Sequence, residues 1–418
     1  MRIAFFIDRF PCLSETFILN QITGLIDRGH EVDIYCDRTD NTERMHPEVT
    51  EYELLKRANY SPIPINVIWR CLKGIYLFLL NFLQAPAIIV RSLNFFKYNK
   101  TYYGEIGNFL SPLYLVIPWL KQKPYDIIHC HYGRNGLKAI LLKDLGVIDG
   151  KIIVTFHGYD ISHYLQTYGD RVYDYLFQRA DLLQPISQHW YQKLISLGCD
   201  PNWVWLQVHH MGIDCHKFVP SKNNVDNLEK INIVGIARLV EKKGLTYGIQ
   251  AVARLIKKYP KLQLSYQIVG DGVLRTELEA QIERLGVTKQ IKLLGWKKQQ
   301  EVQDIISQAD IILAPSITSP QGDCEGIPVS LMEAMAQAMP VVSTYHSGIP
   351  ELVEDGVTGY LVEEKQVDAL TQKLEHLVNN PNLRQQMGFA GREKVLRSYN
   401  IELLCDRLVE TYQKLLNK

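Results

Sequence analysis

The sequence predicts an α/β protein made of two doubly wound parallel sheets. Three observations carry that prediction. Short apolar runs ending in a polar or glycine turn recur along the chain, stretches of helical spacing separate them, and a polar segment at 219–230 is followed by a run that restarts the pattern. "RIAFFI" (2–7) reads as a buried strand. Ser14 reads as the N-cap of a helix through "SETFILNQITGLIDRGH", apolar at Phe17, Ile18, Ile22 and Leu25 and stopped by Gly29. "EVDIYC", "YDIIHC", "KIIVTFHG" and "ADLLQPIS" continue as strands. After "VPSKNNVDNLEK" (219–230), poor in bulky apolar residues, "INIVGIARL" begins a second sheet. It continues through "LQLSYQIVG", a helix from Leu274 to Leu285, "IKLLGW", a helix from Glu301 to Ser307, "ADIILAPS", "MPVVST" and "TGYLV". The closing "IELLCDRLVETYQKLLNK" has helical apolar spacing at Leu403, Leu404, Leu408 and Tyr412, which predicts packing on a neighbour. Two such sheets place a ligand at the carboxyl ends of their strands, in the cleft between domains.

One segment breaks the rhythm. "GIYLFLLNFLQAPAIIV" (74–90) has no charge, and Arg70, Lys73, Arg91, Lys97 and Lys100 flank it, with Trp69, Phe95, Phe96, Tyr102 and Tyr103 nearby. A membrane span needs about 20 apolar residues, and Asn81, Gln84 and Pro86 interrupt this run. The first expectation is two core-packed helices of the first domain, with Pro86 near the start of the second. The alternative is an aromatic, basic surface resting on an anionic membrane, ahead of a true span.

Composition narrows the function classes. The 46 Lys and Arg against 45 Asp and Glu leave a net charge of +1, which gives no overall field for nucleic acid. The eight cysteines are scattered without a CxxC pair, and the N-terminal apolar run is too short for a signal peptide, so the expectation is a cytoplasmic chain with reduced thiols. The first strand-to-helix turn, "DRFPCLSE", contains no glycine. Both GxGxxG and GxxxxGK[ST] are therefore missing, which argues against redox enzymes and kinases. "HCH" (129–131) puts His129 and His131 on one face of a strand with no third ligand at metal spacing, so local hydrogen bonding is the expectation. Asp323 and Glu325 in "DCE" are the one pair that could hold a divalent metal on a nucleoside diphosphate.

"EGIPVSLME" (325–333) carries the chemistry. In an unbroken helix its two glutamates would stand about 12 Å apart along the axis, too far to act on one atom. Pro328 suits a first helical position, which puts Glu325 in the preceding loop and Glu333 in the second turn. The free amides of Val329 and Ser330 then lie between them at the positive helix end. Such a site fits an elongated ligand with an anionic middle and hydroxyls at both ends, the form of a nucleotide sugar.

This stretch, with "AMAQAMPVVSTYHSGIPELVEDGVTGYLV" after it, resembles the donor-site signature of retaining glycosyltransferases of family 4, in particular those of bacterial exopolysaccharides of the colanic-acid kind. "GIARLVEKKGL", "IVGDG", "IKLLGW", "TFHGYD" and "HHMGIDCHKF" resemble the family's other blocks in their usual order, and "FPCLSETFI" resembles the exopolysaccharide subgroup. The resemblance implies a GT-B fold: an acceptor-binding domain over 1–218, a donor-binding domain over 219–396, and a helix over 397–418 that crosses back. It implies that Arg238 and Lys243 clamp the donor diphosphate, Glu325 and His157 meet the transferred sugar, and Glu333 binds ribose. Gly270, Asp271 and Trp296 would frame the base, Val329 and Ser330 would offer amides to the diphosphate, and Gly326 and Ile327 would also bind the donor. Pro328 departs from the pattern, since many members carry glycine there and proline has no N–H to give.

The implied activity is retaining, metal-independent transfer of a hexose from a nucleotide-diphosphate sugar to a glycan or lipid-linked acceptor. It would proceed without a cofactor, in exopolysaccharide or cell-surface polysaccharide synthesis, on a cytoplasmic protein that contacts the membrane peripherally. Nucleotide-sugar epimerases and phosphorylases share the fold, and a non-catalytic nucleotide-sugar-binding protein is the rival from outside enzymes.

Overall fold

The computed structural model describes residues 1–13, 15–39, 45–220 and 230–418. The expected N-cap Ser14 and residues 221–229 of the expected linker lie outside them. The chain divides into two compact units, Met1–His210 with Cys405–Lys418, and Met211–Leu404. Ile213, Cys215 and Phe218 are buried in the second unit's core, which sets the division ahead of the polar stretch. Leu408, Tyr412 and Leu415 of the last helix, Ile401–Leu416, belong to the first unit's core beside Ile3, Phe5 and Ile127.

The first unit is a seven-stranded parallel sheet, ordered β3-β2-β1-β4-β5-β6-β7. Its strands are β1 (Arg2–Arg9), β2 (Glu31–Arg38), β3 (Ala58–Tyr60), β4 (Ile127–His131), β5 (Lys151–Phe156), β6 (Leu182–Pro185) and β7 (Trp205–Leu206). The second unit is a six-stranded sheet ordered β10-β9-β8-β11-β12-β13. Here the strands are β8 (Lys230–Ile236), β9 (Gln263–Val269), β10 (Ile291–Gly295), β11 (Ile311–Ala314), β12 (Val341–Thr344) and β13 (Gly359–Val362). All pairings within both sheets are parallel, for example Phe5 against Ile34 and His129, and Val234 against Gln267 and Ile312. Helices cover both faces, so β4, β12 and β13 are buried at every residue and read as unbroken apolar runs rather than alternating ones. Strand order reverses between β1 and β4 in one sheet and between β8 and β11 in the other. In doubly wound folds ligands bind outside the carboxyl ends of strands at such points.

Helix limits follow local chemistry. The helix Thr16–Asp27 ends before Gly29, whose φ of 77° no β-branched residue would adopt cheaply. The helix Gln299–Ser307 begins where the Glu301 carboxylate accepts the Lys298 amide at 2.9 Å. None of the eight cysteines is in a disulfide.

The structure corrects one expectation. Residues 74–90 do form parts of two helices, Val67–Asn81 and Pro86–Ser92, with Pro86 opening the second, but the first is not core-packed. Gly74 is its one buried residue, with Leu77 and Phe78 half-buried on the same side, while Trp69, Leu72, Tyr76 and Leu79 face outward. No helix among the described residues is long and apolar enough to cross a membrane.

Candidate functional site

In the second unit the site forms where β8 and β11 part. Past β8 the chain runs through Arg238 into a short turn, Glu241–Lys243, closed by Gly244. Gly244 has φ 59°, and a Cβ there would lie 1.9 Å from the Pro315 carbonyl oxygen. Only glycine lets this turn press against the end of β11. The next loop is seated the same way. Gly270 has φ 134°, its amide donates to the Gly295 carbonyl at 2.9 Å, and a Cβ would lie 1.9 Å from the Ala237 oxygen. The Leu239 amide donates to the Asp271 carbonyl at 3.0 Å, which ties the Arg238 loop to the Gly270 loop. Trp296, 51% exposed, follows Gly295. Asp271 is exposed, with Arg275 Nη1 3.7 Å from its carboxylate.

Glu325 is buried, and Lys243 Nζ stands 2.9 Å from its Oε2 with Lys242 Nζ 3.9 Å from Oε1. Lys242 also reaches Asp323 at 3.0 Å. Burial pushes the Glu325 carboxyl up, but the two lysines and His346 outweigh it and hold the group below its ordinary value, so it is ionised at neutral pH. Its backbone is fixed as firmly. The Glu325 amide donates to His346 Nε2 at 3.0 Å, Ser347 Oγ donates to the Glu325 carbonyl at 2.6 Å, and His346 Nδ1 lies 2.6 Å from Glu364 Oε1. An imidazole that accepts at Nε2 carries its proton on Nδ1, so Glu364 sets the tautomer that holds the Glu325 loop. The lysines stand where a divalent cation on Asp323 and Glu325 would have to bind. Among the described residues no group of three or more His, Cys, Asp or Glu is arranged to hold a metal ion.

The helix Val329–Ala336 follows. Pro328 is its N-cap rather than its first helical residue, one position earlier than the sequence predicts; its carbonyl accepts the Leu331 amide at 3.1 Å. Ser330 Oγ donates to the Ile236 carbonyl at 3.1 Å, which fixes the helix start beside the end of β8. The Val329 and Ser330 amides have no acceptor among the described residues and stand at the positive helix end. Gly326 and Ile327 lie between them and Glu325. Glu333, half-buried in the second turn, has no hydrogen bond or ion pair on its carboxyl among the described residues, and desolvation lifts it to about 7. Arg238 is exposed, and its guanidinium likewise has no partner among the described residues.

In the first unit the ends of β4 and β5 present stacked rings. His157 follows β5; burial lowers its pKa to about 3, so it is neutral at physiological pH. Its Nε2 lies 2.9 Å from Nδ1 of His131, and the rings of His129, His131 and His157 stack in sequence at 4.7 and 5.1 Å. Tyr412 and Thr155 hold His129. Both histidines of "HCH" are hydrogen-bonded within the first unit, His129 to Tyr412 far along the chain and His131 to His157. Asp160 accepts the amides of His157 and Gly158 at 3.0 Å and of Gly133 at 2.9 Å, locking the His157 loop to the turn after β4. Beside it Arg134 bridges Asp8 and Asp37 at 3.1 and 2.7 Å, and Lys138 reaches Asp37 at 2.6 Å.

The structure thus gathers Arg238, Lys243, Gly270, Asp271, Trp296, Glu325, Gly326, Ile327, Val329, Ser330 and Glu333 on the strand ends of one unit, and His157 on those of the other. Sequence reasoning missed Lys242, His346, Glu364, Asp160 and His131 as supports. His346 and Asp160 lie inside quoted blocks, but nothing in a linear pattern shows that "STYHSGIPEL" returns to the Glu325 loop.

Comparison with known proteins places the chain. Residues 14–217 match the family described as glycosyltransferase family 4, and residues 220–394 match glycosyl transferases group 1. The chain is 36% identical over 421 residues to WcaL of Salmonella typhimurium, a glycosyltransferase assigned to colanic acid biosynthesis, covering 99% of this chain and 100% of that protein. It is equally 36% identical over 421 residues to the amylovoran biosynthesis glycosyltransferase AmsK of Erwinia amylovora, with the same coverage. Among solved structures it is similar to HepE of Anabaena in complex with UDP and glucose, with a TM-score of 0.69 at 18% identity over 99% of this chain and 100% of that one. It is also similar to sucrose-phosphate synthase of Thermosynechococcus elongatus, with a TM-score of 0.70 at 17% identity over 100% and 99%. The fold is GT-B, and the chain belongs to the glycosyltransferase family that includes WcaL and AmsK.

Proposed function

We propose that this glycosyltransferase transfers a hexose, with retention and without a metal ion, from a nucleoside diphosphate sugar to a glycan or lipid-linked acceptor of an exopolysaccharide or other cell-surface polysaccharide. The observation that carries the reading is the second unit's arrangement of satisfied and unsatisfied groups. Glu325 is ionised and fixed, whereas Glu333, Arg238 and two helix-start amides have no partner among the described residues. A half-buried carboxylate and a pair of amides without partners are costly unless a ligand completes them. A nucleotide sugar supplies ribose hydroxyls to Glu333, a diphosphate to Arg238 and the amides of Val329 and Ser330, and sugar hydroxyls to Glu325.

Lys243 has three N–H donors, and the ion pair with Glu325 uses one, which leaves the rest for the diphosphate. Positive charge there stabilises the leaving group as the glycosidic bond breaks, the task a divalent cation would otherwise perform. Gly270, Asp271 and Trp296 frame the base, and Gly326 and Ile327 line the sugar end. The first unit binds the acceptor, and His157, held neutral, meets the transferred sugar as a hydrogen-bonding group rather than a cation. The 36% relatives in colanic acid and amylovoran synthesis support the polysaccharide setting. No cofactor and no nucleic acid enter this reading; a peripheral contact with the inner membrane face does.

The test is a panel of nucleotide sugars incubated with lipid-linked acceptors extracted from a strain lacking the protein, with product anomeric configuration read by NMR. An α-linked product from an α-donor, formed equally in EDTA, is expected. An inverted linkage overturns retention, and loss of transfer in EDTA with recovery in Mn²⁺ overturns metal independence. Interconversion of free donor without an acceptor would favour an epimerase, and binding without turnover on any acceptor a non-catalytic protein.

A further inference from the structure

The helix Val67–Asn81 displays its apolar stripe to the outside. Trp69, Leu72, Tyr76 and Leu79 fall on one face at helical spacing and are 67, 54, 60 and 67% exposed, with Ile65 before the helix and Leu83 after it also exposed. A soluble helix normally buries such a stripe. This one instead turns Gly74 inward, where an added Cβ would meet Leu110 Cδ1 at 3.2 Å, and holds on through the Tyr114 hydroxyl, which donates to the Arg70 carbonyl at 2.6 Å. The second arm, Pro86–Ser92, anchors through Ile89 and Ser92, and after it Phe96 is 95% exposed.

Charge says what covers this face. From Leu54 to Gly104 the chain has no Asp or Glu and seven Lys or Arg, at 56, 57, 70, 73, 91, 97 and 100. Arg70, Lys73, Arg91, Lys97 and Lys100 have no carboxylate partner among the described residues. A second copy docking through the same face would set these cations against one another, because a two-fold contact is isologous. A surface with fatty chains beneath and phosphates above satisfies both features at once. Trp69 and Tyr76 suit the boundary between them.

We propose that the hairpin of Val67–Asn81 and Pro86–Ser92 is an in-plane anchor that seats its apolar stripe in an anionic lipid surface. The inference rests on the reading above, in which a lipid-linked acceptor is presented at that surface. The test is flotation of the full chain with phosphatidylcholine vesicles, with and without phosphatidylglycerol, in the absence of donor and acceptor. Wild type is expected to float with the anionic vesicles and to remain below with the neutral ones. Lys73→Glu/Lys97→Glu/Lys100→Glu should weaken partitioning at least about 100-fold, since each cation near an anionic leaflet contributes on the order of tenfold. Leu72→Glu/Leu79→Glu should abolish it. These side chains are exposed, so thermal melting should show both variants folded; high salt should release the wild type. Equal flotation with both vesicle types, or flotation unchanged in either folded variant, overturns the proposal. So does an oligomer by light scattering that Leu72→Glu/Leu79→Glu dissociates, because a second copy would then cover the stripe. A chain that floats as stated yet transfers nothing would overturn the transferase reading and leave the anchor standing.

Discussion

At the ends of β4 and β5 the first unit stacks three imidazoles, with the last of them, His157, kept neutral by burial. At the ends of β8 and β11 the second unit gathers two lysines, an arginine and two glutamates around a helix start. The second cluster lies at its sheet's switch point and the first one strand beyond its own; the first is built from rings that hydrogen-bond among themselves and the second from charges only partly paired. On the proposed reading the difference marks where the reaction's charge is handled. A leaving nucleoside diphosphate gains negative charge, which needs fixed cations; an acceptor hydroxyl and a sugar ring need shape and hydrogen bonds without a competing cation. Within the second unit the contrast repeats: Glu325 is buried, paired and low in pKa, and Glu333 is unpaired and raised to about 7.

The comparison can be broken most sharply at its cations. Arg238→Met with Lys243→Met should lower kcat/KM by roughly 1,000-fold or more, since on the proposed reading each group would stabilise the charge that develops on the leaving diphosphate. The single variants should differ in stability. Lys243→Met leaves Glu325 with Lys242 alone and should lower Tm, costing about 1–3 kcal/mol, whereas Arg238→Met removes an exposed group without a partner and should leave Tm unchanged. Thermal melts beside steady-state kinetics would check both.

A smaller effect sharpens the contrast between the glutamates. The folded protein holds the Glu333 proton up to about pH 7 against an ordinary 4.5. Folded protein therefore binds more protons than unfolded between those values, and this group's contribution to stability is present at acid pH and lost as pH rises through 7. Glu333→Gln should raise Tm at pH 8 and change it little at pH 4. On the proposed reading donor binding runs the other way, because the ribose hydroxyls would donate to the carboxylate. Wild-type donor KM should climb below pH 7, by up to about tenfold per pH unit, and this slope should vanish in Glu333→Gln.

The mildest effect belongs to the rings. His157→Gln should lower kcat by about tenfold, the loss of one neutral hydrogen bond. With His157 down near 3, neither wild type nor variant should show a histidine limb in kcat between pH 5 and 8. A limb near 6.5 that His157→Gln removes would show a charged histidine at work and erase the difference between the two sites.

Most strands were legible because both faces of each sheet are buried, which turns strands into apolar runs that stand out from helical spacing. β3 and β7 were not, since edge pieces of three and two residues carry too few positions for a pattern. Apolar periodicity showed helices near 74–90 but could not show which way they face: a stripe against a core and a stripe against its surroundings have the same sequence. The break at Gly326 and Pro328 correctly put Glu325 in a loop and Glu333 in the second helical turn, because proline's lost N–H and fixed φ act locally. The pairing of Lys243 with Glu325 and the support from His346 and Glu364 were invisible, since they join residues far apart through the order of β8, β11 and β12.

The central claim is that one donor lies across the second unit with its sugar at Glu325 and its ribose at Glu333. Steady-state kinetics of Glu325→Gln and Glu333→Gln on the same donor and acceptor, on variants shown by melting to be folded, test it most directly. Glu325→Gln should lower kcat by roughly 30- to 1,000-fold with a smaller rise in donor KM, because its bond strengthens as charge develops on the ring. Glu333→Gln should raise donor KM about 10-fold at neutral to alkaline pH with little change in kcat, because nothing at the ribose changes during reaction. The reverse pattern, with Glu333→Gln failing in kcat and Glu325→Gln in KM, would place the donor the other way round and contradict the account.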